Sequence, residues 1–380
     1  MNNFVCPRCG NKNPKYIGYK NNKPYCRLCI SMKGESAKEH KVSSGMVVLS
    51  LDYQLSKEQK NISERVVNNY KNKINTLIYA VCGAGKTELV YEVIAYALSR
   101  GKTIGFAIPR RDVVIELYQR IKNAFPSNSV TSVYGGNNDK LEGDIVIITT
   151  HQLYRYNHYF DLLIMDEIDA FPFKHNEILI SMYRNSLRGN SVLMSATPSR
   201  EVIEYYKKPG NDIVELNTRF HKHPLPVPVL KIRYGMTKIP YVIKKLREYI
   251  SNNKQVFIFT PTIEICESVF SLISKIVPNG NYVHSKCKDR TRIISEFKSK
   301  KYMYLVTTAV LERGVTVKDL QVIVYNADHE LFNEYSLVQI AGRVGRKYDA
   351  PEGEVVFVAS KETEDIRRAI STIKNKNLSL

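Results

Sequence analysis

TLIYAVCGAGKT, residues 76–87, joins an apolar run to a glycine turn and then to a helical pattern. Leu77 to Val81 has the length of a buried strand, Gly83-Ala84-Gly85 interrupts it, and Lys86-Thr87 opens the segment that follows. Glycines let backbone N–H groups face inward around phosphate oxygens, and the helix start adds its positive end. Lys86 can reach the β- and γ-phosphates, and the Thr87 hydroxyl suits Mg²⁺. The stretch therefore reads as a loop for a nucleoside triphosphate such as ATP. Ala80 stands where the general pattern G-x-x-x-x-G-K-[ST] has its first glycine, so the neighbouring sequence has to carry part of the reading.

Outward from the loop, apolar runs alternate with helical patterns: TIGFAI (103–108), VTSVY (130–134), DIVIIT (144–149), DLLIMDE (161–167) and SVLMSAT (191–197). That alternation predicts βα units and a parallel sheet, in which ligands bind at the carboxyl ends of strands. The polar strand ends are then candidates as a group: Pro109-Arg110, Thr149-Thr150, Asp166-Glu167 and Ser195-Ala196-Thr197. Asp166 to Asp169, DEID, is the most informative. In a phosphate-loop enzyme the first acid completes the Mg²⁺ shell and the second can accept a proton from attacking water. Upstream, Ser56 is placed to cap a helix that contains Gln59.

Residues 209–240, with Pro209-Gly210, Pro224, Pro226, Pro228 and Pro240, read as a boundary. Beyond it the alternation resumes without a phosphate loop: QVFIF (255–259), NYVHS (281–285), YMYLVTT (302–308), QVIVYNA (321–327) and EVVFVAS (354–360). Polar ends recur at Thr307-Thr308. Arg313-Gly314 follows a strand, and Gln339 to Arg346 places Arg343 and Arg346 three residues apart, on one face if helical. Guanidinium groups on a separate domain suit a γ-phosphate whose charge shifts during transfer.

At the N-terminus, Cys6-x-x-Cys9 and Cys26-x-x-Cys29 have the spacing of a closed, structural Zn²⁺ site on two knuckles. They flank a hairpin in which Tyr16, Tyr19, Lys20, Lys23 and Tyr25 could stack on bases or fill a small core. Residues 30–50 are polar and read as a linker. The Tyr154 to Phe160 run suits base stacking but fits helix packing better. The formal net charge of +19 favours a polyanion, nucleic acid or an anionic membrane surface. Neither a signal peptide nor a long apolar span is recognisable, which predicts a cytoplasmic protein.

With these pieces in order, the chain resembles superfamily 2 helicases and translocases from about Leu55 to Arg346. The resemblance implies two RecA-like parallel-sheet domains in tandem behind the zinc module, an α/β fold with expected bounds 1–45, 46–215 and 216–380. It gives Gln59 adenine recognition, Ala80 to Thr87 the phosphate loop in the family's usual form, Asp166 the Mg²⁺ and Glu167 the role of catalytic base. Gln339, Arg343 and Arg346 fall in the motif that supplies arginine fingers. Ser195 and Thr197 would couple nucleotide state to nucleic-acid grip, with Pro109, Arg110, Thr149, Thr150, Thr308, Arg313 and Gly314 in the remaining motifs. DEID in place of DEAD argues against an RNA-dedicated DEAD-box protein, and Thr316 stands where many members have an aspartate.

The four-cysteine module fused to AVCGAGKTE, DEID and QIAGRVGR is similar to the ComFA type of competence ATPase. That family implies a DNA-stimulated ATPase at the cytoplasmic face of the membrane, acting on single-stranded DNA at an uptake channel with a phosphoribosyltransferase-like partner, ComFC. The residues alone imply only an ATP-driven motor on nucleic acid. They leave open a duplex-unwinding repair or replication-restart helicase, and a zinc-ribbon adaptor with a weak ATPase core.

Overall fold

The computed structural model describes residues 4–378 apart from 31, 33, 52, 82, 169–175, 220–222, 312–314, 316 and 347–348. Asp169, Arg313, Gly314 and Thr316 therefore lie outside the described residues. Residues 1–81 and 85–216 form one compact unit; residues 82–84 and 217–380 form the other.

The first unit begins with an antiparallel hairpin, β1 (Ile17–Lys20) and β2 (Lys23–Cys26). Then come α1 (Lys57–Lys71), β3 (Asn75–Ala80), α2 (Tyr91–Ser99), β4 (Ile104–Ile108), α3 (Arg111–Ala124), β5 (Val130–Val133) and β6 (Ile145–Thr149). The unit closes with β7 (Phe160–Asp166), α4 (Glu177–Ser186), β8 (Leu187–Ser195), α5 (Arg200–Tyr206) and β9 (Asn211–Leu216). Strands β3 to β9 make one sheet in the order β5-β6-β4-β7-β8-β3-β9, every neighbouring pair parallel. Strands β4 and β6 are buried at every position, as expected for apolar runs covered on both faces. Helix α1 starts at a capping box: Gln59 N–H donates to Ser56 Oγ (3.2 Å), and Ser56 N–H donates to Gln59 Oε1 (2.9 Å).

The stretch read as a linker is instead a strap along this unit. Ala37 N–H donates to Arg155 O (2.9 Å), Lys38 N–H to Glu142 Oε1 (2.8 Å), Gly45 N–H to Ser99 O (3.2 Å) and Ser50 N–H to Ala124 O (2.9 Å). His40 Nε2 meets Asp144 Oδ1 at 2.7 Å. Burial raises the Asp144 pKa, but hydrogen bonds from His40, Ser129 and Asn128 outweigh it and hold the carboxyl below its ordinary value. Polarity was a poor guide here because most of these bonds use backbone groups that every residue owns.

The second unit runs β10 (Val229–Ile232), α6 (Lys238–Ser251), β11 (Val256–Phe259), α7 (Ile263–Ser274), β12 (Gly280–Val283), α8 (Arg290–Lys298) and β13 (Tyr304–Thr307). It continues through β14 (Gln321–Tyr325), α9 (Glu334–Ala341), β15 (Val355–Ala359) and α10 (Glu364–Asn377). Its sheet, β10-β15-β14-β11-β13-β12, is again parallel throughout. The proline-rich stretch contains two strands that its composition hides, β9 and β10. Both are edge strands, and edges tolerate the polar residues and nearby prolines that disguise them. Leu225 within that stretch is clamped to α10: its N–H donates to Asn377 Oδ1 and its carbonyl accepts from Asn377 Nδ2, both at 2.8 Å.

Candidate functional site

Strand β3 delivers the chain to the glycine loop. Gly83 and Gly85 have φ of +84° and +77°, the left-handed region where a side chain is strained. A Cβ on Gly85 would stand 2.7 Å from Gln59 Nε2, so the loop is cradled by the glutamine whose other amide atom closes the α1 capping box. Ala84 is buried, and Lys86 and Thr87 are half-buried. The helix after the loop opens with a 3₁₀ turn (Glu88–Val90) before α2.

At the end of β7, two strands away, Asp166 Oδ1 lies 4.0 Å from Lys86 Nζ, each side chain 17% exposed. Asp166 also accepts from Glu167 N–H (2.8 Å), and Glu167 itself is at φ +57°. A non-glycine residue in that conformation is strained, and such strain concentrates at functional sites. Between these strands, β8 ends at Ser195, whose Oγ accepts from Thr197 N–H (2.9 Å); Ser195, Ala196 and Thr197 are all buried. The structure thus brings Gln59 of α1 and Gly85, Lys86, Thr87, Asp166 and Glu167 to the carboxyl ends of strands β3 and β7 in one sheet. A lysine ammonium, a threonine hydroxyl, an aspartate and turned-in glycines are the donor set a Mg²⁺–ATP complex requires, so the residues fit that cofactor.

The remaining candidates separate. Pro109 is buried and Arg110 half-buried at the start of α3; Thr149 and Thr150 are buried where β6 passes into a 3₁₀ turn (Thr150–Arg155). Thr308 is half-buried at the end of β13. Arg343 and Arg346 do not share a helical face: α9 stops at Ala341, and Gly342 with Gly345 (φ +67°) turns the chain. Arg343 is 2% exposed and donates Nη1 to Val315 O (2.9 Å), whereas Arg346 is half-buried and donates Nε to Gly342 O (2.9 Å). Gln339 is buried on α9.

Two buried arginines, Arg219, which carries no motif, and Arg155, within the Tyr154 to Phe160 run, organise these segments. Arg219, 2% exposed, donates Nη1 to the carbonyls of Val344 (3.0 Å) and Gly345 (2.7 Å), holding the turn between Arg343 and Arg346. Arg155, 3% exposed, donates Nη1 to Glu35 O (2.7 Å) and Nε to Gln152 Oε1 (2.6 Å), tying the strap to the turn after Thr150. Their partners are mainly backbone carbonyls, which leave no signature in sequence. The aromatic run beside Arg155 is core: Tyr156, Tyr159 and Phe160 are buried, with ring centroids 4.9–5.2 Å apart.

In the N-terminal module the four cysteines converge. Cys6 and Cys29 sulfurs are 3.5 Å apart, as are those of Cys9 and Cys26, and all four lie within 4.8 Å of one another and are buried. Thiolates at roughly 2.3 Å from one zinc stand about 3.8 Å apart, so the cluster fits tetrahedral Zn²⁺. Burial, reinforced by Cys26 and Cys6, pushes the Cys9 thiol up to about 12, and a bound cation would supply the charge that favours its thiolate. The knuckles rest on the first sheet's outer elements. The cysteines share a core with Leu153, Tyr156, Leu179 and Met182, and Asn185 Nδ2 donates to Pro7 O (3.4 Å).

Two parallel sheets, one carrying a glycine loop and a paired Lys86 and Asp166, define a nucleic-acid-stimulated ATPase of the superfamily 2 helicase class. Residues 52–200 match the family model described as type III restriction enzyme, res subunit, and residues 240–348 match the helicase conserved C-terminal domain. The chain belongs to the ComFA family. It is 34% identical to the competence protein ComFA of Bacillus subtilis (strain 168), covering 98% of this chain and 86% of that one. To ComFA of Streptococcus pneumoniae (strain ATCC BAA-255 / R6) it is 32% identical, over 93% and 85%. Among solved structures, S. cerevisiae Dbp5 bound to RNA and ADP BeF3 superposes with a TM-score of 0.66 at 14% identity, covering 86% of this chain and 92% of that one. RecG bound to a three-way DNA junction gives 0.63 at 22%, covering 86% and 45%. At those identities the likeness concerns the fold.

Proposed function

We propose that this chain is a DNA-dependent ATPase that translocates single-stranded DNA during uptake of transforming DNA. What carries the reading is the coexistence, in one chain, of the Lys86 and Asp166 pair at a glycine loop and near-full-length similarity to two competence proteins. Gln59 would read the adenine. The turned backbone at Gly83 to Gly85 and Lys86 would hold the phosphates, and Thr87 and Asp166 would hold Mg²⁺, which supplies charge neutralisation on the phosphoryl oxygens. Glu167, strained at the strand end, is the base that orients and deprotonates water. Arg346 on the second unit is the finger for the γ-phosphate. Buried Arg343 supports it by fixing the preceding turn to Val315.

Force on DNA requires that hydrolysis change the grip of strand-end residues. Ser195 and Thr197 stand between the two ATP-binding strands, and Thr149, Thr150, Arg110 and Thr308 are the candidates for phosphate-backbone contact, together with Arg313 and Gly314. The proposal extends to a ComFC-type partner and to a membrane uptake channel at the inner face of the cell membrane. Among the described residues no helix is long and apolar enough to cross a membrane.

The test is ATP hydrolysis by zinc-loaded protein alone, then with single-stranded DNA, duplex DNA and RNA at one fixed low salt concentration, since phosphate-dominated binding is salt-sensitive. Strong stimulation by single-stranded DNA supports the translocase. Stimulation chiefly by RNA, or by no polymer, overturns it.

A further inference from the structure

The zinc-knuckle hairpin presents a surface that the ATPase does not use. Its turn, Asn21 and Asn22 at φ +50° and +58°, is the tight two-residue form that sets β1 against β2. That register puts Lys20 directly opposite Lys23, and like charges in that position repel and destabilise a hairpin. One pair further in, Tyr19 faces Pro24 and is 60% exposed. The hairpin already has an aromatic for its own packing: Tyr25 lies over Gly18, where a Cβ would stand 2.5 Å from the ring. Tyr19 is therefore surplus to the knuckle's core.

The charge around it is equally unbalanced. Lys12, Lys15, Lys20, Lys23 and Arg27 are all exposed, and among the described residues no ion pair joins any of them to a carboxylate. Residues 1–45 contain two acids, Glu35 and Glu39, both on the strap rather than the hairpin. An exposed aromatic face flanked by uncompensated cations is the combination that grips a single strand: the ring stacks on a base while the lysines neutralise phosphates. The anchorage is firm as well. The cysteine cluster shares a core with Leu153 and Tyr156, and Arg155 bonds the strap to the same turn, directly after Thr149 and Thr150.

We infer that the β1–β2 hairpin is a second, ATP-independent contact for single-stranded nucleic acid, with Tyr19 stacking on a base and Lys20 and Lys23 on adjacent phosphates. This rests on the reading of the chain as a single-strand DNA ATPase. It adds that the zinc module itself holds the strand.

The experiment is fluorescence anisotropy of labelled oligo-dT with zinc-loaded, full-length protein, without nucleotide, across a salt series. Tyr19→Ala weakens binding about tenfold, the size of one lost stacking contact, while Tyr19→Phe binds like wild type. In Lys20→Gln/Lys23→Gln the slope of log K against log salt becomes shallower by about 1.4, two phosphate contacts on a single strand. Zinc content and DNA-free ATP hydrolysis stay at wild-type level in all three, because the changed side chains are solvent-exposed. Wild-type affinity and slope in both the Ala and the double Gln variants overturn the inference, as does equal weakening by Tyr19→Ala and Tyr19→Phe. Wild-type ATPase without single-strand stimulation instead defeats the parent reading. Normal stimulation with unaltered binding in the variants defeats the hairpin assignment alone.

Discussion

The two parallel sheets of this chain treat the end of a central strand in opposite ways. In the second unit β11 runs into Thr260, whose N–H (2.7 Å) and Oγ (3.2 Å) both donate to Thr307 O on the next strand, and Thr260 is fully buried. In the first unit β3 ends at Ala80, and the loop that follows passes through Gly83 and Gly85, both at positive φ. One strand end is closed upon its own sheet; the other, on the proposed function, would be the one that holds an anion. On the proposed function, the same architecture would carry phosphate chemistry in one copy and in the other supply arginines held by turns. Fold alone does not distribute the function; a few residues at strand ends do.

That contrast can be broken most sharply at the arginines. Arg346→Ala is expected to lower kcat about a thousandfold, the smaller end of what a finger contributes, with little change in the melting of the second unit. Arg343→Ala, by contrast, should cost about 2–3 kcal/mol of stability through loss of its buried bond to the Val315 carbonyl. Thermal unfolding and steady-state kinetics on both variants check this. Equal loss of stability in the two would erase the distinction between finger and support.

A smaller effect is expected on the phosphate-loop side. Lys86→Ala should reduce ATP turnover about a hundredfold, as for removal of one preorganised charge contact, and leave oligo-dT binding within a few-fold of wild type. Turnover retained in that variant would show that the glycine loop is not where ATP is held.

The smallest effect sharpens a difference confined to the first unit, its N-terminal strap. Because Asp144 titrates below its ordinary value in the folded protein, its contribution is present above the unfolded carboxylate pKa of about 4 and is lost as pH falls through the depressed folded value. Hydrogen exchange at the Ala37 and Gly45 amides, corrected for intrinsic rates, should accelerate below about pH 4. In Asp144→Asn that acid-dependent step should disappear.

Much of this was legible in sequence, for reasons that particular residues make plain. Strands such as β4 and β6 are apolar along their whole length because both faces are covered, and the glycines at 83 and 85 announce a backbone conformation that only they adopt easily. The cysteine spacing names its own geometry. Edge strands β9 and β10 were hidden because one flank needs no apolar cover. The strap and Arg219 were hidden because their partners are largely backbone groups, common to all sequences. The arginine spacing suggested a shared helical face, and Gly342 and Gly345 explain why the helix ends first.

The docking of the knuckle also has a consequence for how the chain is made. Cys29 leaves the ribosome well before Met182 and Asn185, the α4 residues against which the module rests. At ordinary rates of synthesis that interval is on the order of ten seconds. Throughout it the newborn hairpin has no domain to lean on, and a zinc ion captured by its four cysteines in that interval would hold the knuckles before docking is possible. A chain starved of zinc would thus complete its first sheet with an unfinished N-terminus beside it.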